Sequence, residues 1–345
     1  MLLPIIGILC PGCYTIRQGT ALLGYLGRAV PLESLLEAKT AETDSAEREK
    51  NRRFVEQVHD IRRFAAEELG LKMSKNYTRY VEMDRDYLAA VVSASASDSF
   101  ARHEWKYPIV GALPYKGFFD VEDARKERAK LEKKGLDVWI RGVDAFSTLG
   151  WFNDPLFSYM RDYTPYQLAE LIIHESVHAT VFIKGQAGFN EELAEFVGSR
   201  GARLYMESRF GRDSEAYQSM LAAEEDHRQF MECIHGLNAE LLTLYASEQD
   251  REAKLREKEH LIKAAQERFG AEYEDRFSGD NYRGFSDLPI NNAYLELYRL
   301  YYSEDAYIAA LFAQSGKTLP EFIAAAKTMP RRGPGRERLA KALGL

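Results

Sequence analysis

The stretch "LIIHESVHATVFIKGQAGFNEELAEF", residues 171–196, decides how the fold of this chain is interpreted. It contains His174 and His178 with Glu175 between them. Side chains four residues apart lie on one face of an α-helix, so both imidazoles can point at a single site while Glu175 lies beside them. This spacing predicts a metal-binding helix over residues 165–184.

The alternative is a pair of ordinary amphipathic helices that carry these polar residues by chance. The sequences on either side, "LAELII" and "ATVFI", are apolar. Without a metal, both histidines and the glutamate would be buried or half-buried and would need other partners to offset the loss of hydration. The apolar context therefore favours a metal site.

A third ligand has to come from another segment, because catalytic zinc sites use three protein ligands and keep one position for water. The downstream sequence "FNEELAEF" offers three acids. Glu191 and Glu195 share a side that borders the apolar face of the predicted helix, whereas Glu192 falls about 100° further round. We predict that Glu191 is the ligand and that Glu195 accepts a hydrogen bond from a ligating histidine. Glu192 is predicted to be solvated or to face the substrate.

Composition sets the broad class of the protein. The chain has 345 residues, of which 46% are hydrophobic, enough for one large core or two smaller ones. Its 53 acidic and 46 basic residues give a net charge of -7 without a basic block, which argues against a nucleic-acid partner. Three cysteines are too few to hold a fold of this size by disulfides.

The N-terminal segment, residues 1–30, begins with a short apolar run that ends near Cys10 and Cys13. Such a run is close in length to the apolar region of an export signal. Gly12-Cys13 is similar to the cleavage site of bacterial lipoproteins, which implies a lipid anchor on Cys13 and a place in the cell envelope. A buried first strand or helix in a cytoplasmic protein, and a redox or metal pair of cysteines, are the alternatives.

Hydrophobic periodicity predicts a mainly helical α+β fold, in which a small mixed β-sheet packs on the metal-binding helix. Residues 32–69 have the spacing of one or two long charged helices, with Leu35, Leu36 and Phe54 on the packing face and Gly70 as the stop. Nearly everything after residue 165 also has helical spacing.

Between these helical regions the period changes. Three segments are rich in β-branched and aromatic residues and predict strands: "YLAAVVSAS", "WKYPIVGALPYKGFF" and "LDVWIRGV". The charged segment "VEDARKERAKLEKKG" predicts a helix that Gly135 ends. We therefore divide the chain into the N-terminal segment 1–30, an α/β part 31–160 and a helical part 161–345.

The motifs also match known families. His174-Glu175-Ser176-Val177-His178 followed by Asn190-Glu191 resembles the gluzincin metallopeptidases, in which the third zinc ligand is the glutamate of a downstream Asn-Glu pair. A closer resemblance is to a bacterial family of predicted zinc aminopeptidases, often lipoproteins. It extends over four further segments: "GCYTIRQGTALLGYL", "YPIVGALPYKGFFD", "STLGWFNDPL" and "INNAYLELYRLYY".

These resemblances imply a Zn²⁺-dependent peptidase. His174, His178 and Glu191 would hold the ion, and Glu175 would act as the general base on a water molecule. The negative charge that develops on the substrate needs a second electrophile, and the gluzincin likeness points to a tyrosine or histidine on a later helix. Tyr301 is our first choice.

Other residues stay open for that role. Tyr302 and Tyr294 are the alternatives to Tyr301, and Asn291 or Asn292 is expected to be a helix N-cap.

The resemblance to gluzincins also places a peptide substrate against an edge strand at residues 147–150. Trp151 or Phe152 would then line a side-chain pocket; the alternative is that they pack the helix against the sheet.

Two further functions share these residues: a zinc hydrolase of a non-peptide amide, and an inactive metal-binding scaffold of the envelope. The presence of Glu175 favours activity, since a scaffold has no use for it. Exo- versus endopeptidase action, side-chain preference and oligomeric state are not set by the sequence.

Overall fold

The protein is described by a computed structural model that places residues 24–25, 27–37, 45–73, 75–107, 111–143, 154–299 and 305–345. Its α-helices, in chain order, are α1 (Ser45–Glu67), α2 (Val121–Glu132), α3 (Pro165–Thr180), α4 (Ala187–Phe210), α5 (Glu215–Ala246), α6 (Arg251–Arg276), α7 (Asn292–Arg299), α8 (Asp305–Ser315), α9 (Leu319–Ala326) and α10 (Gly335–Leu343). Short 3-10 helices span Leu32–Leu36, Ser158–Asp162 and Arg283–Asp287. In these parts of the chain, no helix has the length and apolar character needed to cross a bilayer.

The strands are short and form three small sheets. They are β1 (Val30–Pro31), β2 (Arg79–Val81), β3 (Ala89–Ala96), β4 (Trp105–Tyr107), β5 (Gly111–Leu113), β6 (Tyr115–Phe118), β7 (Leu136–Val143) and β8 (Leu156–Phe157). The order β1-β2-β8 is mixed, because β1 is antiparallel and β8 parallel to β2. The order β6-β3-β7 is antiparallel, and β4 pairs with β5.

The predicted fold class, mainly helical α+β, is confirmed. The mixed sheet and α3 share one core, since Tyr80 of β2 and Leu156 of β8 belong to the same cluster of buried residues as Leu168 and Ile172 of α3. This core draws on residues from Ala29 to Leu343 and so crosses position 160. The division of the chain into three parts stays a prediction.

The predicted helices 32–69 and 165–184 need correction at their ends. Only a 3-10 turn forms over Leu32–Leu36, and Leu36 is exposed rather than packed. The described part of this region then contains α1, and Gly70, with φ +69°, adopts the left-handed conformation that ends helices. The helix predicted over 165–184 ends at Thr180, because Val181 is extended.

A network of buried polar groups, which we call the polar junction, joins the antiparallel sheet to the later helices. The ammonium of Lys258 donates to the carbonyl of Ser97 at 3.0 Å and lies 2.9 Å from the carboxylate of Asp137. The same Asp137 oxygen accepts from the backbone N–H of Asn292 at 2.9 Å. The Asn292 side chain accepts from the hydroxyl of Tyr245 at 2.7 Å. These contacts fix α6 and α7 against β7.

We predict that Lys258→Met lowers the free energy of unfolding by about 3–5 kcal/mol, since it leaves the largely buried carboxylate of Asp137, 14% exposed, without its cation. Urea unfolding followed by circular dichroism measures this. Arg256→Met is the matched control, because the Arg256–Glu252 pair spans 4.0 Å between side chains 72% and 91% exposed. Its effect should stay within about 0.5 kcal/mol. Equal effects of the two substitutions would contradict the prediction.

Candidate metal centre

Helix α3 carries both histidines, and its N-terminus is well capped. Thr164 and Gln167 form a capping box: the Thr164 hydroxyl accepts from the Gln167 N–H at 3.2 Å, and the Gln167 side chain accepts from the Thr164 N–H at 2.9 Å. Pro165 takes the first helical position, where its missing N–H costs nothing. One turn apart, the Nε2 atoms of His174 and His178 lie 3.2 Å from each other.

Helix α4 brings the third side chain to the same point. One carboxylate oxygen of Glu191 lies 3.5 Å from His174 Nε2, and the other lies 3.5 Å from His178 Nε2. The two helices approach closely because α4 carries Gly198 and Gly201 toward α3. A Cβ atom at Gly198 would lie 3.1 Å from His174 Cβ, and one at Gly201 would lie 3.0 Å from a methyl group of Ile173.

The three side chains are close enough together to hold one divalent cation. Bonds of about 2.0–2.1 Å from zinc to its ligands separate neighbouring ligand atoms by about 3.3–3.4 Å. The two Nε2 atoms lie 3.2 Å apart, and each lies 3.5 Å from a different oxygen of Glu191. One ligand atom from each of the three side chains lies within 4.8 Å of the other two. Two imidazoles and one carboxylate are also the donor types that zinc prefers. The Glu191 side chain is 56% exposed, so one side of the site is open to solvent.

Electrostatics couple the three groups. Burial disfavours the charged imidazolium of His174. Hydrogen bonding to Glu191 and the negative charges of three nearby glutamates, Glu175, Glu191 and Glu195, favour it. The second effect is larger, so the pKa of His174 is raised above 6.5. Hydrogen bonding to His174 and His178 lowers the pKa of Glu191 to about 2. A metal ion must displace the proton of His174, so metal affinity falls as the pH falls.

Glu175 lies beside this group without joining it. Glu175 is buried, at 7% exposed. The group of possible metal ligands among the described residues consists of His174, His178 and Glu191 and does not include Glu175. Its charge acts on His174 on one side and on the buried Tyr77 on the other. A carboxylate in this position can exchange protons with a water molecule at the site without ligating the ion.

The other predicted acids have different surroundings. The negative charge of Glu195 contributes to the raised pKa of His174. The predicted hydrogen bond from a ligating histidine to Glu195 stays a prediction. The prediction for Glu192 as a solvated residue is wrong. Its side chain is 1% exposed and lies 3.0 Å from the guanidinium of Arg336, a residue far away in the sequence.

Several predicted residues lie outside the described parts of the chain: Tyr301, Tyr302, the segment 147–152 and both N-terminal cysteines. Tyr294 belongs to a separate core, where its ring meets Trp139 at 4.8 Å between centroids and its hydroxyl accepts from Tyr298. Asn291 accepts from the N–H of Tyr294 at 3.2 Å, so the predicted N-cap at the start of α7 is confirmed.

Tyr77 is a neighbour of the site that the sequence did not indicate. It is buried at 3% exposure and has φ +61°, the one positive value at a non-glycine residue in the described parts of the chain. Its N–H donates to the carbonyl of Asp154 at 2.8 Å, which helps to hold this costly conformation. Burial, then the charges of Glu175 and Asp154, raise the pKa of the Tyr77 hydroxyl well above 10.

A cavity of about 890 Å³ is lined by residues of α3, α4 and α5. Glu170, one turn before His174, and Glu195, one turn after Glu191, both line it. Burial raises the pKa of Glu170, whose carboxylate accepts from the Tyr166 hydroxyl at 3.4 Å. The cavity therefore offers one acid a helical turn from His174 and another a helical turn from Glu191.

Comparison with models of protein families matches residues 13–341 to the Aminopep family, described as "Putative aminopeptidase". The chain belongs to this family. No curated protein and no solved structure matches the chain. Membership confirms the predicted aminopeptidase family over nearly the whole chain and supports a peptidase-type activity. The gluzincin likeness stays a prediction.

We predict that His174 of the chelator-treated protein titrates above pH 6.5 and that Glu191→Gln lowers this pKa, because the carboxylate stabilises the imidazolium. Since its folded-state pKa is raised, His174 stabilises the metal-free protein at acidic pH, and this contribution is lost as the pH rises through that pKa. NMR of the imidazole C–H signals measures the titration. Glu248→Gln, at an exposed position, is the control and should leave it unchanged. An unaltered titration in Glu191→Gln would argue against the observed proximity.

Proposed function

We propose that this protein is a zinc-dependent aminopeptidase in which Glu175 is the general base. The observation that carries the proposal is the convergence of His174, His178 and Glu191 on one point, with Glu175 buried beside them, in a chain of the Aminopep family. No other group of three or more such residues with metal-binding geometry occurs in the described segments.

The ligand side chains would hold the ion through both Nε2 atoms and the Glu191 carboxylate. When bound, zinc lowers the pKa of a water molecule toward neutrality and polarises the carbonyl of the scissile bond. Glu175 would accept the proton of the attacking water and donate it to the departing amine, so that its carboxylate is restored after each turnover. Tyr301, two residues after the end of α7, remains our proposed donor to the substrate oxyanion.

The acidic cavity supports action at a free N-terminus. An exopeptidase has to bind the ammonium group of its substrate close to the scissile bond, and charge-assisted hydrogen bonds to carboxylates are the strongest way to do so. Glu170 is suited to this role, because it lies one turn from His174 and has no lysine or arginine partner among the described residues. Glu224, at the cavity wall, is instead 3.3 Å from Arg203.

The central test compares the wild type with Glu175→Gln. We expect the variant to retain one zinc per chain, measured by atomic emission, and to lose about 10²–10⁴-fold in kcat, because the amide cannot take the proton. Glu248→Gln controls for the loss of a carboxylate at an exposed site. Full turnover in Glu175→Gln would remove this residue from the mechanism, and a wild type without zinc would remove the site.

A second test compares peptides with free and acetylated N-termini. We expect kcat/KM to be at least about tenfold higher for the free amine, because one charge-assisted hydrogen bond is worth about 1.5–3 kcal/mol. Glu170→Gln should lower kcat/KM for free-amine peptides and leave the value for acetylated peptides unchanged. Equal hydrolysis of both kinds of peptide by the wild type would point to endopeptidase action.

A further inference from the structure

The ligand Glu191 lies near the weak end of its helix. The N-cap residue of α4, Gln186, makes no side-chain capping hydrogen bond, and the first turn contains no acid that would favour the helix dipole. Gly188 in the same turn lowers its helix propensity. Contacts from outside the helix hold this end in place: the side chain of Asn190, next to Glu191, exchanges two hydrogen bonds of 2.9 Å with the backbone of Ile183.

The C-terminal segment supplies such support, and we call residues 331–343 the C-terminal brace. The N–H of Lys184, in the loop between α3 and α4, donates to the carbonyl of Arg331 at 2.9 Å. The N–H of Gly335 donates to the Gln186 side chain at 3.4 Å. Gly335 also lies directly on the ring of Phe189, since a Cβ at this position would be 2.4 Å from ring atoms.

The strongest contact of the brace is made next to the ligand itself. The Arg336 guanidinium donates to one carboxylate oxygen of Glu192 through two nitrogens, at 3.0 and 3.2 Å. The Glu192 side chain is 1% exposed, so this charge needs a cation nearby. Arg336 is itself held by Tyr307 of α8, whose ring centroid lies 5.1 Å from its guanidinium carbon.

We propose that Arg336 is a positioning residue for the metal ligand Glu191. Glu191 and Glu192 are consecutive residues of one turn of α4. Because Arg336 holds the Glu192 side chain in place, it limits rotation of this turn about the helix axis. The Glu191 side chain is then held in the direction of the two histidines. The brace thus prepares the third ligand before the ion binds, and binding does not have to order the turn. This inference rests on the proposed metal site.

The expected effect concerns zinc affinity. Replacing a residue that orients a metal ligand without binding the metal itself typically lowers metal affinity by about 10–100-fold. Arg336→Met should weaken zinc binding of the full-length, chelator-treated protein by a factor in this range, measured by competition with a chromophoric chelator. Arg336→Lys should bind zinc more tightly than Arg336→Met, because an ammonium keeps one of the contacts to Glu192.

Two further variants separate positioning from general stability. Glu192→Gln combined with Arg336→Met removes the buried charge that Arg336 balances. The double variant should recover unfolding stability relative to Arg336→Met, but not zinc affinity, because the contact with the brace is still missing. Lys258→Met breaks a buried ion pair in the polar junction and should be destabilised with wild-type zinc affinity. The visible spectrum of the Co²⁺-loaded proteins should change in Arg336→Met and stay unchanged in Lys258→Met, since it reports ligand geometry.

Wild-type zinc affinity in Arg336→Met or in the double variant overturns the proposal for Arg336 and leaves the proposed function intact. The same loss of affinity in Lys258→Met also overturns it, because the effect would then follow stability alone. Full turnover by a zinc-loaded Glu175→Gln protein overturns the mechanism of the proposed function and not the role of Arg336. A wild type that binds no zinc overturns both.

Discussion

The close packing of α3 against α4 is the constraint on which the rest of the site depends. Gly198 and Gly201 remove the side chains that would hold the helices apart: a Cβ at Gly198 would lie 3.1 Å from the Cβ of His174, and a Cβ at Gly201 would lie 3.0 Å from a methyl carbon of Ile173. Only at this separation can a glutamate of one helix reach two imidazoles of the other. The ligand geometry is thus a result of backbone packing as much as of the ligands themselves.

The same packing gathers negative charge. Glu170, Glu175, Glu191 and Glu195 all act on the ligand pair or lie one turn from it, and the metal-free site responds by favouring the imidazolium form of His174. Carboxylates in partly apolar surroundings are costly unless a cation balances them. In the proposed function, a divalent ion at His174, His178 and Glu191 would provide that balance, and the remaining acids would then bind the ammonium group of a substrate.

The C-terminal end of the chain completes this arrangement. Lys327 donates to the carbonyl of Gly70, Arg331 accepts from Lys184, and Arg336 holds Glu192. Helices α8 to α10 therefore belong to the same packed unit as the ligand helices, and the residues that surround the ligands come from widely separated parts of the chain. These contacts are the basis of the proposed link between the C-terminal segment and the order of the metal site.

The sequence by itself determined the features that depend on local geometry. A spacing of four residues places His174 and His178 together on any α-helix, helical periodicity separates Glu191 from Glu192, and Asn291 caps the turn that follows it. Strands of two or three residues, such as those of the β1-β2-β8 sheet, carry too little pattern to be predicted. Tertiary structure alone decided that Glu192 is buried against Arg336 and that Tyr77 is held at positive φ beside Glu175. These features depend on contacts between residues far apart in the sequence, which periodicity does not record.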